Sequence, residues 1–512
     1  MKRKLLISSI IIITVLCTSV FPFRVVHAAT DYEQKQAEYA RKLNESVAYV
    51  MSLIDDNMTD YEKAYIFAQY CQEGNIYSPS SNDQTAEGVL VDHKAVCAGF
   101  ASAFRLLCTT AGIPCETIIS TKANHEWCLC YLDGEWTYVD VTRTPSGEYQ
   151  PQMFSGKLFQ TRHQLDFVTV KDENGSIFGT TGDMAIENGW EILESYFDDA
   201  YYNHFGLNDN YIPVGVEDEG EFNFSSSCSR VYYDENYKYY EERETLDTIS
   251  KVYKENRTTG EKTKLADALC FDYATTGLVK DNNKIYYIGT DGSIYSMDIN
   301  GNNQVKEFTH SGTENISGIF VQDGYIYYAL RASETATDAE LVQWKKLETA
   351  PTLGEYTVNN ADSQYILNYI KTTKGIVISY CEGIGDNEPA GKLYIPDTIE
   401  GLPVIGIGED AFYGLELTGE VTLPKNLQYI GKSAFRGTNI TKVIWNEELT
   451  AIGENAFGVC ENLTGILEMP DSIEYIDYRA FYNCNYENIN FSDNLKMISA
   501  YAFYGNENLG AF

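Results

Sequence analysis

Basic residues are scarce in this chain of 512 residues. Lys and Arg number 38 against 74 Asp and Glu, a formal net charge of −36. Phosphate backbones are held by clustered Lys and Arg, so nucleic acid is a poor partner for this surface. The acid excess reads instead as solubility. Proline is also scarce, at 12, while tyrosine reaches 40. With its many Asn, Asp and Gly residues, that balance predicts strand-rich, turn-rich structure. Beyond the N-terminus no hydrophobic run approaches membrane-spanning length, so no transmembrane segment is predicted in the mature chain.

The N-terminus differs from the rest. Lys2, Arg3 and Lys4 precede an apolar stretch from Leu5 to Leu16, and Val26-His27-Ala28 supplies small residues at the −3 and −1 positions. This predicts a signal peptide over 1–28, cleaved before Ala29, rather than a retained anchor. The protein is therefore expected to be secreted or at the cell surface. Removing Lys2, Arg3, Lys4 and Arg24 takes the net charge to −40. Cysteines number 12, or 11 after cleavage, and an odd count leaves at least one thiol free or paired between chains. Cys97, Cys108, Cys115, Cys128 and Cys130 fall within 34 residues. Cys128-Leu129-Cys130 lacks the spacer of a zinc site, so these are expected as buried apolar thiols, with no metal and no cofactor.

Residues 29–215 form the expected N-terminal domain. Tyr39, Leu43, Val47, Val50, Met51 and Ile54 keep a helical period, and Thr59 or Asp60 caps a second helix. Residues 76–90 read as a loop, and residues 146–215 as an aromatic-rich extension. Over 216–347 Tyr-rich strands recur, among them Ile285-Tyr286-Tyr287 and Ile326-Tyr327-Tyr328, 41 residues apart. That spacing suggests a propeller-like β-region, although three units fall short of a closed ring. Residues 348–364 read as a linker.

The clearest repeat lies in 365–512. Ile-x-x-x-Ala-Phe occurs five times, from Ile407 to Phe412, Ile430 to Phe435, Ile452 to Phe457, Ile476 to Phe481 and Ile498 to Phe503. The steps are 23, 22, 24 and 22 residues, the period of leucine-rich-repeat solenoids. Phe is expected to stack inward on its counterpart one coil away, and the small Ala to let coils approach. Segments such as Gly419–Pro424 alternate like short strands. This region resembles the bacterial surface-protein (BspA-like) type of leucine-rich repeat. The sequence stops part-way through a repeat at Phe512 without a polar cap, which reads as truncation.

Chemistry concentrates between 97 and 140. Cys97 opens an apolar run in which Phe100, Ala101, Phe104 and Leu107 share a helix face, with Gly112 and Pro114 ending it. A thiol at a helix N-terminus is favoured as thiolate. Asp133-Gly134 is a hairpin signal. With these two residues as the loop, Leu132 pairs with Glu135, Trp127 with Asp140 and His125 with Thr142. His125 and Asp140 then lie on one face as diagonal neighbours. Nucleophile, base and orienting carboxylate are thus Cys97, His125 and Asp140. His93 is a rival base without an evident carboxylate partner, and His163 a weaker rival. The Cys97 N–H is the natural first oxyanion donor; Tyr77, Gln69 and Tyr70 are candidates for the second.

The run Gly88–Ala101, with Asp92-His93-Lys94-Ala95-Val96-Cys97-Ala98-Gly99 at its centre, resembles the bacterial transglutaminase-like core. So do His125-Glu126-Trp127 and Asp133–Thr142. The resemblance covers roughly 55–145. It implies a papain-like α+β fold and a cysteine peptidase, cross-linking or deamidating enzyme with Cys97, His125 and Asp140 as its triad. The whole is thus expected to be multidomain, with a transglutaminase-like core, a β-rich middle and a leucine-rich-repeat solenoid. The function it suggests is an exported cysteine-dependent acyl-transfer enzyme acting on protein carboxamide or peptide bonds, with the repeats engaging a host extracellular or bacterial envelope protein. The alternative is an adhesin-like binding protein in which the thiol core is structural or makes one covalent attachment.

Overall fold

The computed structural model describes residues 31–120, 125–142, 231–242, 249–269, 277–331, 340–360, 362–384 and 389–509, with short strands at 152–153, 168–171, 177–180 and 191–195. The predicted signal peptide and His163 lie outside the described residues. Contacts group Tyr39–Phe512 into one compact unit and set the residues up to Glu38 apart. Among the described residues no helix is long and apolar enough to cross a membrane.

Helix α1 (Asp31–Met51) buries Leu43, Val47 and Val50, as the periodicity predicts. Helix α2 (Asp60–Gln72) begins at a capping box: the Thr59 hydroxyl accepts the Glu62 N–H, and the Glu62 carboxylate accepts the Thr59 N–H. The segment expected as a loop contains strand β1 (Ile76–Tyr77) and a short helix α3 (Ala86–Leu90). Both are too short to carry a periodic signal. Strand β2 (Lys94–Ala95) pairs in parallel with β1, and α4 (Cys97–Thr110) follows. Strands β3 (Cys115–Ser120), β4 (His125–Leu132), β5 (Glu135–Asp140) and β6 (Gln152–Met153) form an antiparallel meander against which α4 packs.

α4 ends as its sequence foretells. Gly112 has φ +77°, a conformation that suits glycine. A side chain there would also collide with Thr450 of the repeat region, its Cβ falling 2.8 Å from the Thr450 hydroxyl.

Among the described residues the middle region forms three antiparallel meanders in succession. Two have four strands, ending at Leu269 and Phe308, and the third has three, ending at Lys346. Each packs on its neighbour in sequence. The propeller-like expectation is not supported. Three meanders do not supply the four or so blades that close a ring, and the body they lead into is a solenoid. The segment 348–364 is not a bare linker either. Thr352–Asn359 is a strand paired along its length with Ser363–Lys371. Its alternation of exposed and half-buried residues lacks the apolar run that would mark a strand in sequence.

The repeat region winds as predicted. Ile407, Ile430, Ile452, Ile476 and Ile498 stand in one parallel ladder, each beside the next. The Phe rings stack at centroid distances of 5.1, 5.0, 5.3 and 5.3 Å from Phe412 to Phe503. Ala411, Ala434, Ala456, Ala480 and Ala502 are buried where the coils meet. One feature escaped the sequence reading. The residue before each Ala-Phe pair (Asp410, Ser433, Asn455, Arg479, Tyr501) takes positive φ, between 53° and 57°. The left-handed residue turns each coil, and its varied side chains hide the pattern.

One apolar cluster joins the parts. It runs from Phe67, Phe104 and Cys128 through Tyr286 and Ile319 of the meanders to Val377 and Tyr429 of the solenoid.

Candidate active site

Cys97 is the first residue of α4. Its N-cap, Val96, is extended and makes no side-chain cap; its carbonyl accepts the N–H groups of Gly99 (3.0 Å) and Phe100 (3.2 Å). Phe100, Ala101, Phe104 and Leu107 are all buried, the face that sequence predicted. The Cys128 thiol, reaching from β4, donates to the Ala101 carbonyl at 3.3 Å and fixes the helix on the sheet. Gly99 lets the preceding loop close over the helix start. A Cβ there would lie 2.4 Å from the Asp83 carbonyl oxygen, the same oxygen that accepts the Val96 N–H at 3.0 Å.

The hairpin has the predicted register. Leu132 stands opposite Glu135, and Cys128 opposite Val139. Asp133 and Gly134 have φ of 48° and 94°, as a two-residue primed turn requires. The Asp133 carboxylate accepts the N–H groups of Asp60 (2.9 Å) and Tyr61 (3.2 Å), so the turn is pinned to the start of α2. Asp140 ends β5 and is buried; its Oδ1 accepts the Thr142 N–H at 2.9 Å. Next to it, the Val141 carbonyl accepts from the Gln72 side chain at 3.1 Å. The β4–β5 ladder ends at Cys128–Val139, and Asp140 pairs on its other side with Gln152 of β6. His125 opens β4 opposite Ser120 of β3. Its backbone therefore lies on the strand that expectation named, and its side chain is outside the described residues.

Tyr77 reaches Cys97 from β1. It pairs with Ala95, two residues before the thiol. Its phenol meets both the N–H and the thiol of Cys97, and its pKa is raised, first by burial, then by Cys97 itself, with Asp140 adding to the effect. Cys97, Tyr77 and Asp140 thus share one electrostatic neighbourhood. The phenol is thus a neighbour of the N–H expected to act as oxyanion donor. The other two candidates have partners of their own. Gln69 bonds the Tyr65 hydroxyl and the Val231 N–H, and Tyr70 packs its ring on Tyr49.

His93 corrects one expectation. It does have a carboxylate partner, because its Nε2 lies 3.2 Å from Asp323 Oδ2 and its Nδ1 lies 3.3 Å from Asn75 Oδ1. Asp323 is 230 residues away in sequence, so nothing local announced it. With both ring nitrogens engaged there, neither is turned to Cys97.

The other cysteines behave differently from Cys97. Cys108, Cys115, Cys128 and Cys130 are fully buried, and burial pushes their thiols up, Cys115 to about 12. Cys97 alone among the described cysteines is half-buried.

Sequence reasoning missed Arg105. It projects from α4 into a cleft of about 420 Å³ between the helix and the solenoid. There it pairs with Glu116 of β3 (3.5 Å), Glu454 (3.7 Å) and Asp477. Burial opposes its charge, but Asp477, Tyr475 and the two glutamates outweigh burial and hold its pKa well above the usual value. Asp477 also accepts from the Tyr475 hydroxyl at 2.9 Å. The signal available in sequence was one arginine within an apolar helix.

Comparison with known proteins agrees with both resemblances. Residues 47–141 match the transglutaminase-like superfamily, and residues 391–510 match the BspA type leucine rich repeat region in six copies. No curated protein matches the sequence significantly. Among solved structures, a leucine-rich repeat protein from Bacteroides ovatus ATCC 8483 is 23% identical over 30% of this chain and 40% of its own, with a TM-score of 0.26. A TGase is 18% identical over 25% of this chain and 36% of its own, with a TM-score of 0.19. A leucine rich cell surface protein from Faecalibacterium prausnitzii A2-165 is 20% identical over 30% of this chain and 53% of its own, with a TM-score of 0.19. The chain thus spans well under two thirds of the length of these proteins.

Proposed function

We propose that the protein is a cysteine-dependent acyl-transfer enzyme. Cys97 attacks a carboxamide or peptide carbonyl carbon, and His125 takes the thiol proton and returns it to the departing amine or ammonia. Asp140 orients His125 and stabilises its charged form. The thioester is resolved by water, which regenerates the thiol and leaves a carboxylic acid. A lysine amine in place of water gives a cross-link. Hydrolysis is the reaction proposed as primary. The observation that carries this reading is the placement of a half-buried thiol as the first residue of a helix, on a sheet whose strands bear His125 and the buried Asp140.

The substrate is a protein, and the solenoid engages a host extracellular or envelope protein carrying it. The basic-apolar N-terminus and the BspA-type repeats support export and display at the cell surface. Ammonia release from a glutamine-rich protein such as casein, or new N-termini in it, tests the activity. Wild-type protein is expected to give one or the other and Cys97→Ala neither. Equal signals from both would end the proposal.

A further inference from the structure

Cys115 and Cys130 play no part in the chemistry of Cys97, yet they stand directly opposite each other on β3 and β4. The neighbouring pair is bridged by the Tyr131 N–H donating to the Pro114 carbonyl at 2.9 Å. In an antiparallel ladder hydrogen-bonded and non-hydrogen-bonded pairs alternate, so Cys115 and Cys130 form a non-hydrogen-bonded pair. Such pairs bring Cα atoms to about 4.5 Å, within the range that a disulfide spans. The two Sγ atoms are 3.0 Å apart. Both side chains are fully buried under α4.

A third thiol, Cys108 of α4, completes a triangle in which all sulfurs lie within 4.8 Å of one another. Two chemistries fit such a group, a thiophilic metal or a disulfide. A metal needs three thiolates in a site where burial resists every one of them. A disulfide leaves no charge behind.

We propose that Cys115 and Cys130 are an oxidation site that becomes a β3–β4 disulfide when the chain folds in the presence of a small-molecule or protein disulfide. One thiolate attacks the donor disulfide and expels a thiol, giving a mixed disulfide. The second thiolate then displaces the other donor thiol. One S–S bond forms and one breaks, the donor is reduced to two thiols, and the two cysteine protons end on them. Exchange takes place before α4 covers the sheet, while both thiols still meet water. The link ties β3 to the strand that opens with His125.

The test is refolding of the full chain in oxidised and reduced glutathione, alkylation in denaturant and tryptic digestion without reduction. Cleavage after Arg105, Lys122 and Arg143 puts Cys108 and Cys115 in one peptide and Cys128 and Cys130 in the other. The expected product is the two peptides joined, lighter by two hydrogens than their sum, with fragmentation placing the bond at Cys115 and Cys130. The Cys108→Ser/Cys128→Ser chain should keep the link, and wild-type fragmentation decides the matter even if that variant does not fold. Both peptides recovered unlinked and fully alkylated would overturn the proposal. So would a bond to Cys108 or Cys128, or one equivalent of zinc or copper per chain protecting the thiols.

Discussion

At the scale of single residues, the chemistry of Cys97 depends on what surrounds its thiol. Three of its parts were legible in sequence: the helix start, the Asp133-Gly134 turn and the register that carries Asp140. All three depend on neighbours within a few residues. Tyr77 was legible only as one candidate among several, because a two-residue strand pairing in parallel with Lys94–Ala95 leaves no periodic trace. In the structure its phenol neighbours both the N–H and the thiol of Cys97. A phenol that accepts the Cys97 N–H competes with an oxyanion for it, so Tyr77→Phe is expected to leave kcat/KM unchanged or raised by about threefold. An oxyanion donor would show the opposite, a loss of about 10²–10³. Steady-state kinetics on one peptide substrate distinguishes the two.

At the scale of elements, α4 is held at both ends and along one side. Its inner face follows the apolar spacing that sequence displays, and Gly112 stops it. Its hold on the solenoid is different in kind. Arg105 is matched by carboxylates from β3 and from two coils more than 300 residues away. No local pattern announces such a contact, since the partners are ordinary surface residues until the solenoid is wound. Removing one member of a buried ion cluster strands the others. Arg105→Ala is therefore expected to destabilise the protein by about 3–5 kcal/mol. Urea unfolding measures it, and a loss below about 1 kcal/mol would mean that the network behaves as exposed pairs do.

At the scale of the whole molecule, repeat length and the Phe and Ala positions were readable because each coil repeats the same packing problem. The middle meanders were harder. Their Tyr-rich strands repeat imperfectly, and the number of sheets and their stacking in series depend on packing between them. The cleft between α4 and the solenoid gives the assembly a pH dependence. Glu409 is half-buried there, and its pKa is raised to about 8. Burial is the main cause, opposed by Lys432 and reinforced by Asp410, Glu87 and Glu454. Asp410 and Asp477 are raised as well, again chiefly by burial. For a carboxyl whose folded pKa lies above its unfolded one, the folded state holds more protons between the two values. Stability is then greatest below the unfolded pKa and falls as pH rises through the folded pKa. Stability is expected to decline from about pH 5 to pH 8. Glu409→Gln should remove about 1–2 kcal/mol of that decline, less than the full shift implies because the cleft admits water. Urea unfolding at both pH values checks this, and identical slopes for variant and wild type would contradict it.

The central claim is that Cys97 is an activated thiol served by His125. Iodoacetamide labelling of the folded protein at mildly acidic pH tests it most directly, with each cysteine followed by peptide mass. The account predicts that Cys97 is alkylated first and alone, and that His125→Ala suppresses its labelling while the fold stays intact. Labelling spread evenly over the cysteines, or a Cys97 rate indifferent to His125→Ala, would contradict it.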